Sequence, residues 1–171
     1  MADAATMTIK AVLLPEEIQK TLKDLTFEYS LADTSEGWYY KLTDVTNSST
    51  NLISADSYLQ FGGNAQGEDA GTAMKTVAAA DKVKFLFIKH TGYRDDGTTA
   101  NTADSVYVNF DGGAAAHNDT SALEIGPNES WYGKPGCTVE DIHAISALLA
   151  KAGTSTNKVQ CIVAAIIDDV A

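Results

Sequence analysis

Short apolar runs punctuated by Gly, Pro, Asn and Asp fill residues 83–167. Residues 83–88, 105–110, 122–125, 141–146 and 159–167 have the length and apolar content of β-strands. The last run is apolar on both faces, with Cys161, Val163, Ala165 and Ile167 on one and Ile162, Ala164 and Ile166 on the other. Such a strand sits centrally in a sheet pair or lies beneath a partner subunit. Turn residues supply the breaks. Asp111, Gly112 and Gly113 end one strand, Gly126, Pro127, Asn128 and Glu129 make a tight turn, and Gly133, Lys134, Pro135 and Gly136 make another. Residues 92–104 read as a long polar loop, and residues 146–153 as either a short helix ending at Gly153 or a loop.

The first half is more mixed. Phe27, Tyr29 and Leu31 alternate in period two, as do residues 38–42, and residues 58–61 form a further short strand. Residues 62–71 are rich in Gly, Asn, Asp and Ala and read as an exposed loop. Upstream, Pro15 opens a segment in which Ile18, Leu22 and Leu25 recur at helical spacing, with Glu16 and Glu17 in the first turn, where the helix dipole favours negative charge. One short amphipathic helix cannot bury its stripe alone, so it docks on its own sheet or on a neighbouring chain. Residues 7–14 are a strand or an extended arm. The fold expected is mainly β: an antiparallel β-sandwich, jelly-roll-like, with a short N-terminal helix. Residues 1–30 form the N-terminal arm and helix, and 31–171 the sandwich domain.

Charge narrows the partners. The 171-residue chain has a net charge of -11, with 44% hydrophobic and 20% charged residues, ordinary for a soluble globular protein apart from the acidity. No run of Lys and Arg in the sequence offsets that acidity, so neither direct nucleic-acid binding nor an anionic membrane surface is expected. The N-terminal residues lack a basic and apolar signal segment, and the apolar run 162–167 is too short to span a bilayer. A soluble protein made in a cytosol is expected. Cys137 and Cys161 do not make a disulfide framework, and the sequence leaves a single bridge between them open.

No catalytic pattern emerges. His90, His117 and His143 lack a second ligand at metal-binding spacing. His117 with Asp111 and Asp119 is the nearest approach to a calcium- or proton-sensitive loop. There is no Gly-x-Ser-x-Gly, and Gly62-Gly63 and Gly112-Gly113 lack the Lys and helix of a phosphate loop. The pairs Glu16/Glu17, Asp95/Asp96 and Asp168/Asp169 are adjacent solvated carboxylates rather than an acid–base couple. No enzyme activity, cofactor or metal is expected. The aromatic clusters Trp38-Tyr39-Tyr40 and Trp131-Tyr132 carry two readings: platforms for sugar rings, or alternate core and subunit-contact residues. The candidate interface is therefore Ile18, Leu22, Leu25, Trp38, Tyr40, Trp131 and Tyr132.

Taken together, the strand at residues 85–92, the strand and turn at 106–113, the segment at 123–130, the strand at 142–146 and the closing apolar strand resemble small β-rich virion proteins of tailed bacteriophages. The resemblance covers about half the chain and none of the first eighty residues. It implies a capsid decoration (cement) protein on the outer capsid surface, a homo-oligomer (dimer or trimer) bridging subunits of the major capsid protein. The alternatives are a tail, neck or fibre-attachment virion protein, or a carbohydrate-binding β-sandwich module.

Overall fold

The computed structural model describes residues 4–9, 25–30, 36–54, 58–60, 75–117, 119–146 and 158–170. The described chain is mainly β and all its pairings are antiparallel. Its strands are β1 (Ala4–Ile9), β2 (Leu25–Ser30), β3 (Glu36–Thr46), β4 (Thr50–Asn51), β5 (Tyr58–Gln60), β6 (Lys75–Thr76), β7 (Lys82–Arg94), β8 (Val106–Asn109), β9 (Leu123–Ile125), β10 (Ser130–Gly133), β11 (His143–Ser146) and β12 (Lys158–Asp168). β1 pairs with β2; a six-stranded sheet runs β10-β7-β12-β3-β5-β6; a four-stranded sheet runs β4-β11-β8-β9.

β12 owes its place at the middle of the large sheet to the apolar character of both its faces. It pairs along its whole length with β3, from Lys158 opposite Thr46 to Asp168 opposite Glu36. On its other side it pairs with β7, from Val159 opposite Arg94 to Asp168 opposite Lys82. Near one end Ile166 faces Phe85 while Ile167 faces Val83, so Lys84 is the extra residue of a β-bulge. Its ammonium turns to the Asp168 carboxylate at 3.0 Å.

Alternation then sorts the side chains. Val159, Cys161, Val163, Ala165 and Ile167 of β12 are buried, together with Leu86 and Ile88 of β7 and Tyr39 and Val45 of β3. Val106 and Val108 of β8, Ile125 of β9 and Ala144 of β11 join them in one core cluster, so the two larger sheets share a single apolar interior. Leu52, Ile53, Val77, Val139 and Ile142 extend that interior under the connecting loops. Those loops are tied by backbone hydrogen bonds, among them Leu52 N–H to the Ile142 carbonyl at 2.9 Å and Val139 N–H to that of Asp81 at 2.9 Å.

Two expectations change. β7 does not give way to a loop at residue 92 but runs to Arg94, with His90 alternating inward as a buried residue. Leu25 opens β2 opposite Ile9, so it is a strand residue and not the last position of a helical stripe. The rest of that helix, with Ile18 and Leu22, lies outside the described residues, as do the loop at 62–71 and residues 147–153.

Candidate interaction face

The same alternation that fills the core builds a second apolar surface on the opposite side of the six-stranded sheet. Tyr132 stands opposite Phe87, Phe87 opposite Ala164, and Ala164 opposite Tyr40. This row crosses four adjacent strands, about 14 Å at ordinary strand spacing. A parallel row runs Ser130, Lys89, Ile162, Leu42. Tyr40 is 67% exposed and Leu42 51%, the most exposed of the large apolar side chains described. Phe87, Ile162, Ala164 and Tyr132 are half-buried. A third row, Phe85 and Ile166, is buried although neither residue belongs to the core cluster.

Charge is sparse on this side. Lys89 stands within the rows, and at one margin Lys158 lies 3.9 Å from Asp44. On a chain of net charge -11, the carboxylates that β3 and β12 place on this side stand at the margins of the rows: Asp44 beside Lys158 at one, and Asp168, held by Lys84 and opposite Glu36, at the other. The rings and aliphatic carbons of these rows offer water no hydrogen bonds, so covering them is favourable, by about 25 cal/mol for each Å² of apolar surface removed from solvent.

The structure places the remaining candidates separately. Trp131, opposite Ile88, turns inward; it packs against the core cluster and lies 5.2 Å from the Phe110 ring between centroids. Trp38 pairs through its backbone with Ile166 and Gln60. Tyr40 and Tyr132 thus share one face, while Trp131 leaves it. Leu25 belongs to the separate β1–β2 pair.

Of the polar side chains singled out from sequence, His90, His117, Asp96, Asp111 and Asp119 are occupied locally, whereas His143 Nδ1 and Asp95 Oδ1 are buried without a hydrogen-bond partner among the described residues. Buried His90 donates through Nε2–H to the Asp104 carbonyl at 2.9 Å and accepts the Gly92 N–H on Nδ1 at 2.9 Å. Burial holds its pKa below the usual value. His117 reaches the Ser146 carbonyl at 2.8 Å, and its ring lies 5.7 Å from that of Tyr107. Asp111 accepts the Gly113 N–H at 2.8 Å, and Asp119 accepts Ser121 N–H at 2.9 Å, so both carboxylates close their own turns instead of meeting His117. Among the described residues no group of His, Cys, Asp and Glu is placed to hold a metal ion. Asp96 accepts N–H bonds from Thr98 and Thr99, and the Thr99 hydroxyl and these amides pull its pKa down to about 2. Glu124 accepts Ser105 Oγ–H at 2.7 Å and Tyr107 O–H at 3.2 Å. Cys137 and Cys161 are free thiols; burial pushes them up to about 11 and about 12, so both stay protonated at neutral pH.

One feature was not legible in sequence. Lys82, Lys84 and Lys134 line a notch of about 360 Å³ with Val83, Gly136, Cys137, Thr138 and Asp141. Lys134 is far from the other two along the chain, and the β10–β7 pairing, with the Lys82–Thr138 bridge beyond it, brings it to them.

The described chain is thus a mainly β protein whose distinctive surface is an apolar sheet face with a lysine-lined notch beside one end. No family model matches the chain, and neither the curated proteins nor the solved structures searched include a match.

Proposed function

We propose that this chain is a structural virion protein, a capsid decoration (cement) subunit. Its two larger sheets form the layers of a jelly-roll-like β-sandwich, and it binds major capsid subunits through the outward face of the six-stranded sheet. The observation that carries the reading is the row Tyr132, Phe87, Ala164 and Tyr40, an apolar ladder left partly in water on an otherwise acidic chain. Monomeric proteins tolerate scattered apolar residues, but a contiguous row in register marks an interaction surface. The strand pattern of residues 83–167 and the net charge of -11, suited to an outward surface rather than one turned to packaged DNA, support the same reading. A stable contact covers about 800 Å² per partner. A ladder about 14 Å across supplies only part of that, which fits a subunit that touches several shell proteins at once. Trp131, engaged with Phe110 and the core, is not free to stack on a sugar, which weighs against the carbohydrate-binding alternative.

The test is direct. Purified protein is expected to bind expanded capsids and raise their rupture temperature, and Tyr40→Ser with Leu42→Ser to abolish both effects while leaving the fold intact. Capsids that bind no protein, or bind the variant equally well, overturn the proposal. Copy number by particle mass spectrometry separates a head role, with hundreds of copies, from a tail or neck role with few.

A further inference from the structure

The lysine notch lies at the β10 end of the apolar face, and its position is set by backbone pairing. Gly133 stands opposite Leu86, which carries Lys134 past the β-bulge of β7. A bridge between Lys82 and Thr138 and a hydrogen bond from Val83 N–H to the Cys137 carbonyl at 3.0 Å fasten residues 134–138 against the same strand. Lys134 directly follows the last residue of β10 and lies two residues beyond Tyr132, so the notch begins where the ladder strand ends.

The charges around the notch are unequally satisfied. Lys84 holds Asp168, and the Asp141 carboxylate is engaged by Thr138 N–H at 2.9 Å and Thr138 Oγ–H at 2.8 Å. The ion pairs among the described residues engage Lys84 and Lys158, but neither Lys82 nor Lys134, both of which are exposed. Asp and Glu outnumber Lys and Arg on this chain 23 to 12, so two ammonium groups without carboxylate partners among the described residues, beside an apolar row, mark a local reversal of charge. The notch is open at Gly136, where a Cβ would meet nothing within 4 Å.

We infer that the notch receives carboxylates of an acidic partner segment, which Lys82 and Lys134 hold while its apolar side chains lie on Tyr132 and Phe87. The inference rests on the interaction-face reading above and adds the partner's chemistry to it: a protein strip that is both acidic and apolar. Exposed ion pairs contribute little individually, so the lysines select and orient while the ladder supplies most of the affinity.

A titration followed by amide NMR tests this with three probes: a soluble peptide containing Glu and Leu, its Gln and Leu counterpart, and inorganic phosphate. The Glu peptide is expected to shift the amides of Lys82, Lys134, Tyr132 and Phe87. The Gln peptide should bind about five- to tenfold more weakly, as the loss of two exposed ion pairs implies. In Lys82→Gln/Lys134→Gln, whose changed side chains are exposed and leave the fold unaltered, the two peptides should bind alike. Equal binding of both peptides to the unaltered protein, or an unchanged preference in the double variant, overturns the inference. So does phosphate shifting the lysine amides while the Glu peptide is silent, which would mark a small-oxyanion site. On capsids the two proposals separate: loss of binding in Tyr40→Ser/Leu42→Ser but not in the lysine variant removes this inference and leaves the face, whereas no loss in either removes both.

Discussion

Acidification should destabilise the fold where His90 meets Gly92, through one buried side chain. Its imidazole has no exposed surface and both ring nitrogens are committed, Nε2–H to the Asp104 carbonyl at 2.9 Å and Nδ1 to the Gly92 N–H at 2.9 Å. Only the neutral Nε2–H tautomer satisfies both; a second proton would set an Nδ1–H donor against the Gly92 donor. Burial lowers the pKa from 6.5, opposed by the Asp104 hydrogen bond and by the charges of Asp104 and Glu129. As pH falls, the unfolded chain therefore takes up this proton first. The stability contributed by neutral His90 is complete above its unfolded pKa of about 6.5, and is lost as pH falls through the folded value. One proton sets the slope at no more than about 1.4 kcal/mol per pH unit. The depressed carboxylates Asp96, Asp119 and Asp141 act in a separate window, since their stabilisation is lost only as pH falls below about 4. Urea denaturation at steps from about pH 8 to about pH 5 isolates the histidine term. His90→Gln should be less stable by about 2 kcal/mol at pH 8, for two strained or lost hydrogen bonds, and its profile should be flatter below pH 6.5. Imidazole nitrogen shifts provide a check that does not depend on the variant folding. An Nδ1–H tautomer, or a folded pKa at or above 6.5, refutes the reasoning.

Other outcomes follow from the same geometry. Trp131→Ala, which empties the contact with Phe110 and the core, should cost about 3 kcal/mol by denaturation, while Tyr40→Ser should stay within about 0.5 kcal/mol; similar losses would mean the two aromatics do not face opposite ways. Gly92 has φ +80, and a Cβ there would clash with Asn128 Oδ1, whereas Gly136 has φ +71 and open space. Gly136→Ala should therefore cost about 1 kcal/mol and Gly92→Ala about 2 kcal/mol in calorimetry; adding Asn128→Gly should close the gap, and a gap that persists would rule out the side-chain clash. Cys161 should not react with iodoacetamide at pH 8 while the protein is folded, half-buried Cys137 should react slowly through its raised pKa, and both should react in denaturant, read by intact mass; rapid labelling of Cys161 in the folded protein would contradict its burial.

Local pattern reached the strands and little beyond them. The runs at 105–110, 122–125, 141–146 and 159–167 correspond to β8, β9, β11 and β12 within a residue or two, because period-two alternation and flanking turns are local signals. β7 was shortened because His90 and Gly92 look like strand terminators until a loop supplies hydrogen-bond partners for the imidazole, and those partners come from Gly92 and Asp104 after the strand has closed against β12. The aromatic clusters were visible, but not which member of each faces out: that depends on register, which puts Tyr132 opposite Phe87 and Trp131 opposite Ile88. The lysine notch is wholly a product of pairing between segments distant in sequence, so a search for runs of basic residues could not find it.

β12 shows why register, and not composition, decides what such a chain presents. Its two faces are nearly equal in apolar content, yet Val163 and Ala165 are fully buried while Ile162 and Ala164 are only partly so. The difference comes from the neighbours. On the inner side Leu86, Ala165 and Tyr39 meet across strands beneath the second sheet, and the core closes over them. On the outer side the residues opposite Ile162 are Lys89 and Leu42, and those opposite Ala164 are Phe87 and Tyr40, none of them in the core cluster. A solvent-facing strand can replace such residues with Thr, Lys or Glu at little cost to stability, since exposed substitutions usually change it by less than about 0.5 kcal/mol. Keeping Tyr40 and Leu42 exposed there, on a chain otherwise rich in Asp and Glu, therefore serves no need of the fold that a polar residue would not meet equally well. It does serve a need for something to lie across the sheet, and the ammonium groups gathered at the β10 margin indicate the charge that something carries.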